Sequence, residues 1–216
     1  MTTALIACSL PLGISRTAVI CILVGLAVWS VFLPASSRLS LAAAVLAATA
    51  AAAMALPSYV SSLAQSFQGA GTDNSVAGRL DDYPIVLDSV REHPLFGQPL
   101  PLRGLILDNQ WLATLVDGGL FAAGTFAIVA VVTPLYLGSR VLGRRDIAAG
   151  RRAYVGALVA GSLTVAVGAL SFDLLSFPQS TFLLFAFLGA LFGSSAQANS
   201  TASRSVGGRQ LGSGET

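Results

Sequence analysis

The sequence predicts an all-α integral membrane protein, and three observations carry the prediction. Of 216 residues, 54% are hydrophobic and 10% charged, with a mean hydropathy of +0.76, whereas a soluble domain carries about a quarter charged residues. The apolar residues gather into runs of roughly 18 or more, the length that crosses a hydrocarbon core. A single long polar segment, 57–108, interrupts those runs and holds most of the acidic residues and the one histidine, His93. The expected architecture is one membrane domain over 1–216: about five transmembrane helices plus an outer loop, 57–108, with an amphipathic helix.

Taken in order, 1–12 is apolar but lacks a basic leading region, so it reads as the end of a helix rather than as a signal peptide. After Arg16, the run TAVICILVGLAVWSVFLP can just span a membrane. Pro34, Ser36, Ser37 and Arg38 form a tight link to a second span, 39–56, built mainly from alanine. Small side chains allow close helix approach, which predicts that this span is buried in the bundle. A third span, 109–137, has Asp117 in its first turns, where a polar contact inside the bundle is expected. The loop 139–152 carries Arg140, Arg144, Arg145, Arg151 and Arg152; spans at 153–172 and 177–196 follow. The tail, 197–216, is rich in Gly and Ser and reads as disordered.

Short basic loops stay cytoplasmic. The five arginines of 139–152 therefore orient the chain, with 57–108 and Arg16 outside and Arg38 and the C-terminus inside. The sequence contains no internal repeat, no charge at mid-span and no evidently broken helix, which weighs against a small transporter. A net charge of +2 is too small to recruit nucleic acid. Cys8 and Cys21 both lie in apolar sequence and read as buried free thiols. No Cys/His cluster has metal-ligand spacing, so neither a metal nor a cofactor is expected.

Within the long loop, Val76, Leu80, Tyr83, Val86, Leu87 and Val90 recur at three- and four-residue spacing. Asn74 or Ser75 is placed to cap the helix this predicts, Pro84 to kink it, and Asp88 and Arg91 to pair on its polar side. The segment PLFGQPLP then turns the chain. Three features suggest chemistry. Arg16 stands at the outer end of a membrane helix, Arg79 in the first turns of the loop helix, and Asp108-Asn109 at the opening of the third span. Two guanidinium groups at an outer interface suit a diphosphate, and a nearby carboxylate could accept a hydroxyl proton. Each also has a plain explanation: snorkelling for Arg16, an ion pair for Arg79 and a helix cap for Asp108.

In chain order, SRTAVICILVGL, NSVAGRLDDYPIVLDSVREHPLFGQ and DNQWLATLVDGGLFAAGTF resemble the O-antigen ligase and O-antigen polymerase family of bacterial envelopes. The resemblance runs over about 11–137. It implies a GT-C-like bundle in the bacterial cytoplasmic membrane and a metal-independent, inverting glycosyltransferase acting on undecaprenyl-diphosphate-linked glycan at the outer face. By the same resemblance Arg16, Arg79 and Arg91 hold the diphosphate, Asp108 works with Arg79 at the reacting bond, and Asn109, Trp111 and His93 support them. Asp108 stands where ligases carry His, which favours polymerisation over ligation. Tyr83 replaces a usual Trp, and Asp117 a usual Glu. Family members are about twice as long, so the chain reads as a C-terminal half and the bundle as incomplete. Its expected partners are membrane lipid, the carrier-linked glycan, and a missing N-terminal half or other envelope-glycan proteins. The alternative is a non-catalytic membrane subunit or truncated paralogue whose outer loop binds a partner.

Overall fold

Proline and glycine positions punctuate the chain, and the helices follow them. The computed structural model describes residues 16–69, 74–98, 107–144 and 147–211, with backbone alone for 59, 74–82 and 196–211. The described residues form helices joined by turns, without strands: α1 (Arg16–Phe32), α2 (Ala35–Ala55), α3 (Pro57–Gln68), α4 (Asn74–Glu92), α5 (Gln110–Ala127), a π-helical segment (Ile128–Val132), α6 (Thr133–Leu142), α7 (Ala149–Gly168) and α8 (Pro178–Leu211).

Pro34 separates α1 from α2, and Arg38 caps the end of α1 by donating from Nε to the Leu33 carbonyl (3.0 Å) and from Nη2 to that of Val31 (3.1 Å). The π segment has a clear cause. Pro134 has no N–H and its ring would press on the carbonyl four residues back, so the turn widens and Thr133 N–H reaches Ile128 O instead.

The core forms around α7, with α1 running antiparallel to it. The Cys21 thiol donates to Thr164 O (3.6 Å) near one end, and Trp29 Nε1 donates to Ala153 O (2.9 Å) near the other. Phe32 fills the space left by Gly138 and Gly156 and joins Leu137, Val141, Val155, Leu158, Val159 and Leu191 in one buried cluster. A second cluster, Phe126, Ala130, Ala166, Ala169, Leu174, Leu184 and Leu188, lies at the opposite end, where α7 gives way to α8.

Several expectations change. Where five spans were predicted, two helices among the described residues are long and apolar enough to cross a membrane, Ala35–Ala55 and Gln110–Leu142. The 17 described residues of α1 rise about 25 Å. Arg151 and Arg152 occupy the first turn of α7, and α8 runs on into polar sequence. The alanine-rich α2 was expected inside the bundle, yet none of its residues is buried. Alanine permits close packing without driving it; the interior is filled instead by α7, with Phe32 of α1 and Leu184, Leu188 and Leu191 of α8. Leu39, Leu46 and Met54 on α2 are 72–79% exposed, as a lipid-facing helix would be. The tail expected to be disordered continues α8 as helix to Leu211, since no proline after Pro178 interrupts its ladder. In the loop, α3 was not foreseen, and α4 runs through Pro84 without interruption. Nor is the third span a single straight helix; it bends at Gly119 and widens at Ile128–Val132.

The packing around Phe32 makes a checkable prediction. A Cβ at Gly156 would lie 2.4 Å from Phe32 Cβ, whereas one at Gly150 meets nothing within 4 Å. Gly156→Leu should cost about 1–3 kcal/mol by overpacking, read as a lowered unfolding temperature in detergent. Gly150→Ala, in the same helix, should be neutral or slightly stabilising.

Candidate functional site

The site is built where the turn after α4 meets the kinked start of α5. The helix α4 ends at Glu92, and the chain turns through His93–Phe96 to Gly97, at φ +68°. Gly119, inside α5, has φ +63°. A side chain at either would be conformationally strained and would also strike backbone: a Cβ on Gly97 would lie 2.4 Å from Val116 O, and one on Gly119 2.5 Å from the Leu95 carbonyl carbon. The two glycines therefore let turn and helix touch main chain to main chain. Three hydrogen bonds fasten them: Gln98 N–H to Val116 O (2.9 Å), Leu120 N–H to Pro94 O (2.9 Å) and Phe121 N–H to Leu95 O (3.2 Å). The kink exposes groups that a straight helix would pair internally, and the turn satisfies them. Phe96 lies against Phe121, with ring centroids 6.2 Å apart.

The start of α5 is held from the other side by Gln110, which the sequence reading did not single out. Its backbone N–H is shared between Ala169 O (2.9 Å) and Phe172 O (3.3 Å). Its side-chain Oε1 accepts from Leu175 N–H (2.7 Å), and its Nε2 donates to Thr114 Oγ1 (2.9 Å). This buried amide ties α5 to the α7–α8 link. A glutamine one residue past a helix cap and four before a threonine, in otherwise apolar sequence, was the available signal.

Asn109, not Asp108, caps the helix. Its Oδ1 accepts from Trp111 N–H (3.0 Å) and Leu112 N–H (3.3 Å). Asp108 is left exposed just before the cap, so the plain explanation of it as a helix cap falls away. Trp111 points into the bundle: its Nε1 donates to Ala166 O (3.1 Å), and its ring meets Phe126 edge-on at 4.8 Å. Its contribution is anchoring.

Arg16, at the start of α1, is half-buried and donates from Nη1 to Ser66 O of α3 (3.1 Å). Because α1 and α7 are antiparallel, Arg16 lies at the same end of the bundle as the 169–175 link and thus as Asp108. Arg91 pairs with Asp88 as predicted (3.0 Å), with both side chains more than 70% exposed, so the pair adds little stability. Arg79 falls within α4, but its side chain lies outside the described residues, as do those of Val76, Leu80, Asp81 and Asp82; Arg103 and Cys8 are outside them altogether. His93 acts through its main chain, accepting from Gly97 N–H (3.2 Å), and its ring is exposed. Of the predicted apolar face of α4, Val86 is buried and Val90 half-buried, but Tyr83 and Leu87 are exposed; Ser89 is the second buried position. Asp117 is exposed rather than enclosed in the bundle, because the kink at Gly119 turns this part of α5 toward the loop.

The arginines of the other loop gather at the opposite end. Arg152 Nη2 donates to Arg144 O (2.6 Å), Arg151 Nη2 to Ser194 O (2.7 Å), and Arg38 lies beside Arg152. Between α5 and α8, one turn below Gln110, is an apolar cavity of about 390 Å³ lined by Thr114, Phe121, Phe126, Val129, Leu184 and Phe185, among others. Among the described residues no group of His, Cys, Asp and Glu could hold a metal ion.

All-helical among the described residues, with two helices long and apolar enough to cross a membrane, the chain reads as a membrane protein. Residues 1–99 match the family model described as O-antigen ligase (Wzy_C). The resemblance read from the sequence is thus borne out over the stretch containing Arg16, Arg79, Arg91 and His93; Asp108 and the opening of α5 lie beyond the match. That family points to glycan-processing enzymes acting on lipid-linked glycan. No curated protein and no solved structure matches the chain.

The turn–kink junction yields a second prediction. Gly97→Ala and Gly119→Ala should each cost about 2 kcal/mol or more, combining left-handed strain with a backbone collision. Gly69→Ala, with nothing within 4 Å of its Cβ, should leave the unfolding temperature unchanged.

Proposed function

We propose that the protein transfers glycan from an undecaprenyl-diphosphate carrier to a sugar hydroxyl at the outer face of the bacterial cytoplasmic membrane, as an O-antigen polymerase or ligase. The match of residues 1–99 to the O-antigen ligase family carries this reading. In it α1, α7 and α8 cross the membrane together with α2 and the α5–α6 helix, giving five passes. The end bearing Arg38 and Arg140–Arg152 is cytoplasmic, and the end bearing Arg16 and Asp108 is outside.

The acceptor hydroxyl oxygen attacks the anomeric carbon as the bond to the diphosphate oxygen breaks, inverting the centre and releasing undecaprenyl diphosphate. Asp108 takes the hydroxyl proton; its exposure ahead of an Asn109-capped helix keeps the carboxylate available for that task. Arg16, Arg79 and Arg91 neutralise the charge that grows on the leaving diphosphate, a role guanidinium groups perform without a metal ion. The apolar cavity between α5 and α8, beginning one turn below Gln110, suits a hydrocarbon chain such as that of the carrier.

A second reading, a non-catalytic membrane subunit, draws on one observation: Ile85, Leu87, Leu95 and Phe96 leave an apolar ridge exposed on the loop, which could seat a partner. Complementation separates the two. A strain lacking the gene would receive wild type, Arg16→Ala, Arg79→Ala, Asp108→Asn or Asp117→Asn, and its surface glycan and carrier-linked intermediates would be profiled. The first three variants should lose polymer and accumulate short carrier-linked glycan at normal protein levels, while Asp117→Asn behaves as wild type. Normal polymer in all four removes the transferase reading.

A further inference from the structure

The opposite end of the bundle holds a feature that glycosyl transfer does not use. A cavity of about 180 Å³ opens among Val31, Phe32, Leu33, Pro34, Arg38, Ile147, Ala149 and Arg152. Unlike the apolar cavity near Gln110, it is lined largely by polar surface. Arg152 reaches it from the first turn of α7, using Nη2 to hold the Arg144 carbonyl (2.6 Å). Its Nε is buried and has no hydrogen-bond partner. A cationic N–H removed from water without an acceptor is unfavourable, and such a group calls for an explanation. Arg38 lines the same cavity and spends Nε and Nη2 on the Leu33 and Val31 carbonyls, which fixes its guanidinium and leaves Nη1 over. The third donor set is main chain. Ala149 opens α7 beside the cavity, and its N-cap, Ala148, offers no side-chain oxygen to the helix's first N–H groups.

We propose that this cavity is a phosphate-binding site, distinct from the glycan-transfer site, in which Arg38, Arg152 and the N-terminus of α7 hold one phosphate group. Two guanidinium groups and a helix start whose N-cap has no side-chain oxygen line this one cavity, and a phosphate oxygen would supply the acceptor that Arg152 Nε lacks. The cavity has several waters' volume: it admits a phosphate and leaves the rest of a larger molecule outside. Its setting favours a phospholipid headgroup as the source. The site adjoins the α1–α2 link of a membrane protein, and Val31 and Leu39 beside it are 53% and 75% exposed, positioned to lie along acyl chains. Free phosphate offers the same chemistry from the aqueous side. A bound phosphate would clamp the start of α2 and the end of α1 to α7, beside the α1–α7 contact on which the Phe32 cluster rests.

The test uses the purified full chain in detergent, with unfolding temperature followed while phosphatidylglycerol, diacylglycerol (a lipid without phosphate) or inorganic phosphate is titrated. Phosphatidylglycerol should raise the wild-type unfolding temperature and diacylglycerol should not. Arg38→Gln and Arg152→Gln should each weaken that response roughly tenfold, the loss of one charge-assisted contact. Arg140→Gln removes the same charge from a side chain that lies over the Tyr136 ring (5.1 Å) outside the cavity, and should respond as wild type. Inorganic phosphate acting alone at millimolar concentration would keep the site and assign its source to the solvent. Should Arg152→Gln fail to fold, Arg38→Gln, an exposed position, decides the matter. An equal response to the two lipids, an undiminished response in Arg38→Gln, or an equal loss in Arg140→Gln would overturn the proposal.

Discussion

The loop and the bundle are joined by backbone meeting backbone at Gly97 and Gly119. At most helix–loop contacts side chains keep main chains apart. Here two glycines with positive φ remove that spacing, and three main-chain hydrogen bonds cross the junction. Each bond adds about 1 kcal/mol net, but the geometric consequence is larger. The helix α4, with Arg79 and Arg91, takes its position from this turn, and α5 takes its bend from the same residues. Because the contact is main chain on main chain, it admits no side-chain rearrangement that could absorb a misfit.

Gln110 performs the complementary task on the opposite flank. Polar groups in an apolar bundle are costly unless every one is matched, and this amide has its backbone N–H and both side-chain atoms occupied. Asn109 caps the same helix. Between them the two residues satisfy the entry of α5 and leave Asp108 outside the network, exposed to solvent. The frame of the candidate site is thus held by matched polar groups, while Asp108 stands exposed ahead of it.

Charge segregation gives the molecule two unlike ends. One carries Arg16, the turn and Asp108. The other carries Arg38 and the arginines of α6 and α7, several of them turned onto main-chain carbonyls. Guanidinium groups spent in this way act as caps and clamps as well as topological markers. This explains how so basic a loop can lie close against the Phe32 cluster.

Much was legible before the fold was known, and what was legible was local. Hydrophobic runs announced helices because burying backbone amides in an apolar medium leaves the helix as the simple solution. Asp88–Arg91 pairing followed from three-residue spacing, the turn after Glu92 from Pro94 and Gly97, and the family resemblance from motifs in chain order. What failed was long-range. The burial of α2 depended on which helices filled the interior, the position of Asp117 on a bend nine residues into a span, and the importance of Gln110 on main-chain groups some sixty residues away. The sequence by itself determined an all-helical membrane protein with a structured polar loop, because composition and periodicity act on neighbours along the chain. Tertiary structure alone decided that Gly97 meets Gly119, that Gln110 ties α5 to the α7–α8 link, and that Arg38 and Arg152 line one cavity, because each rests on a contact between segments whose approach no local pattern encodes.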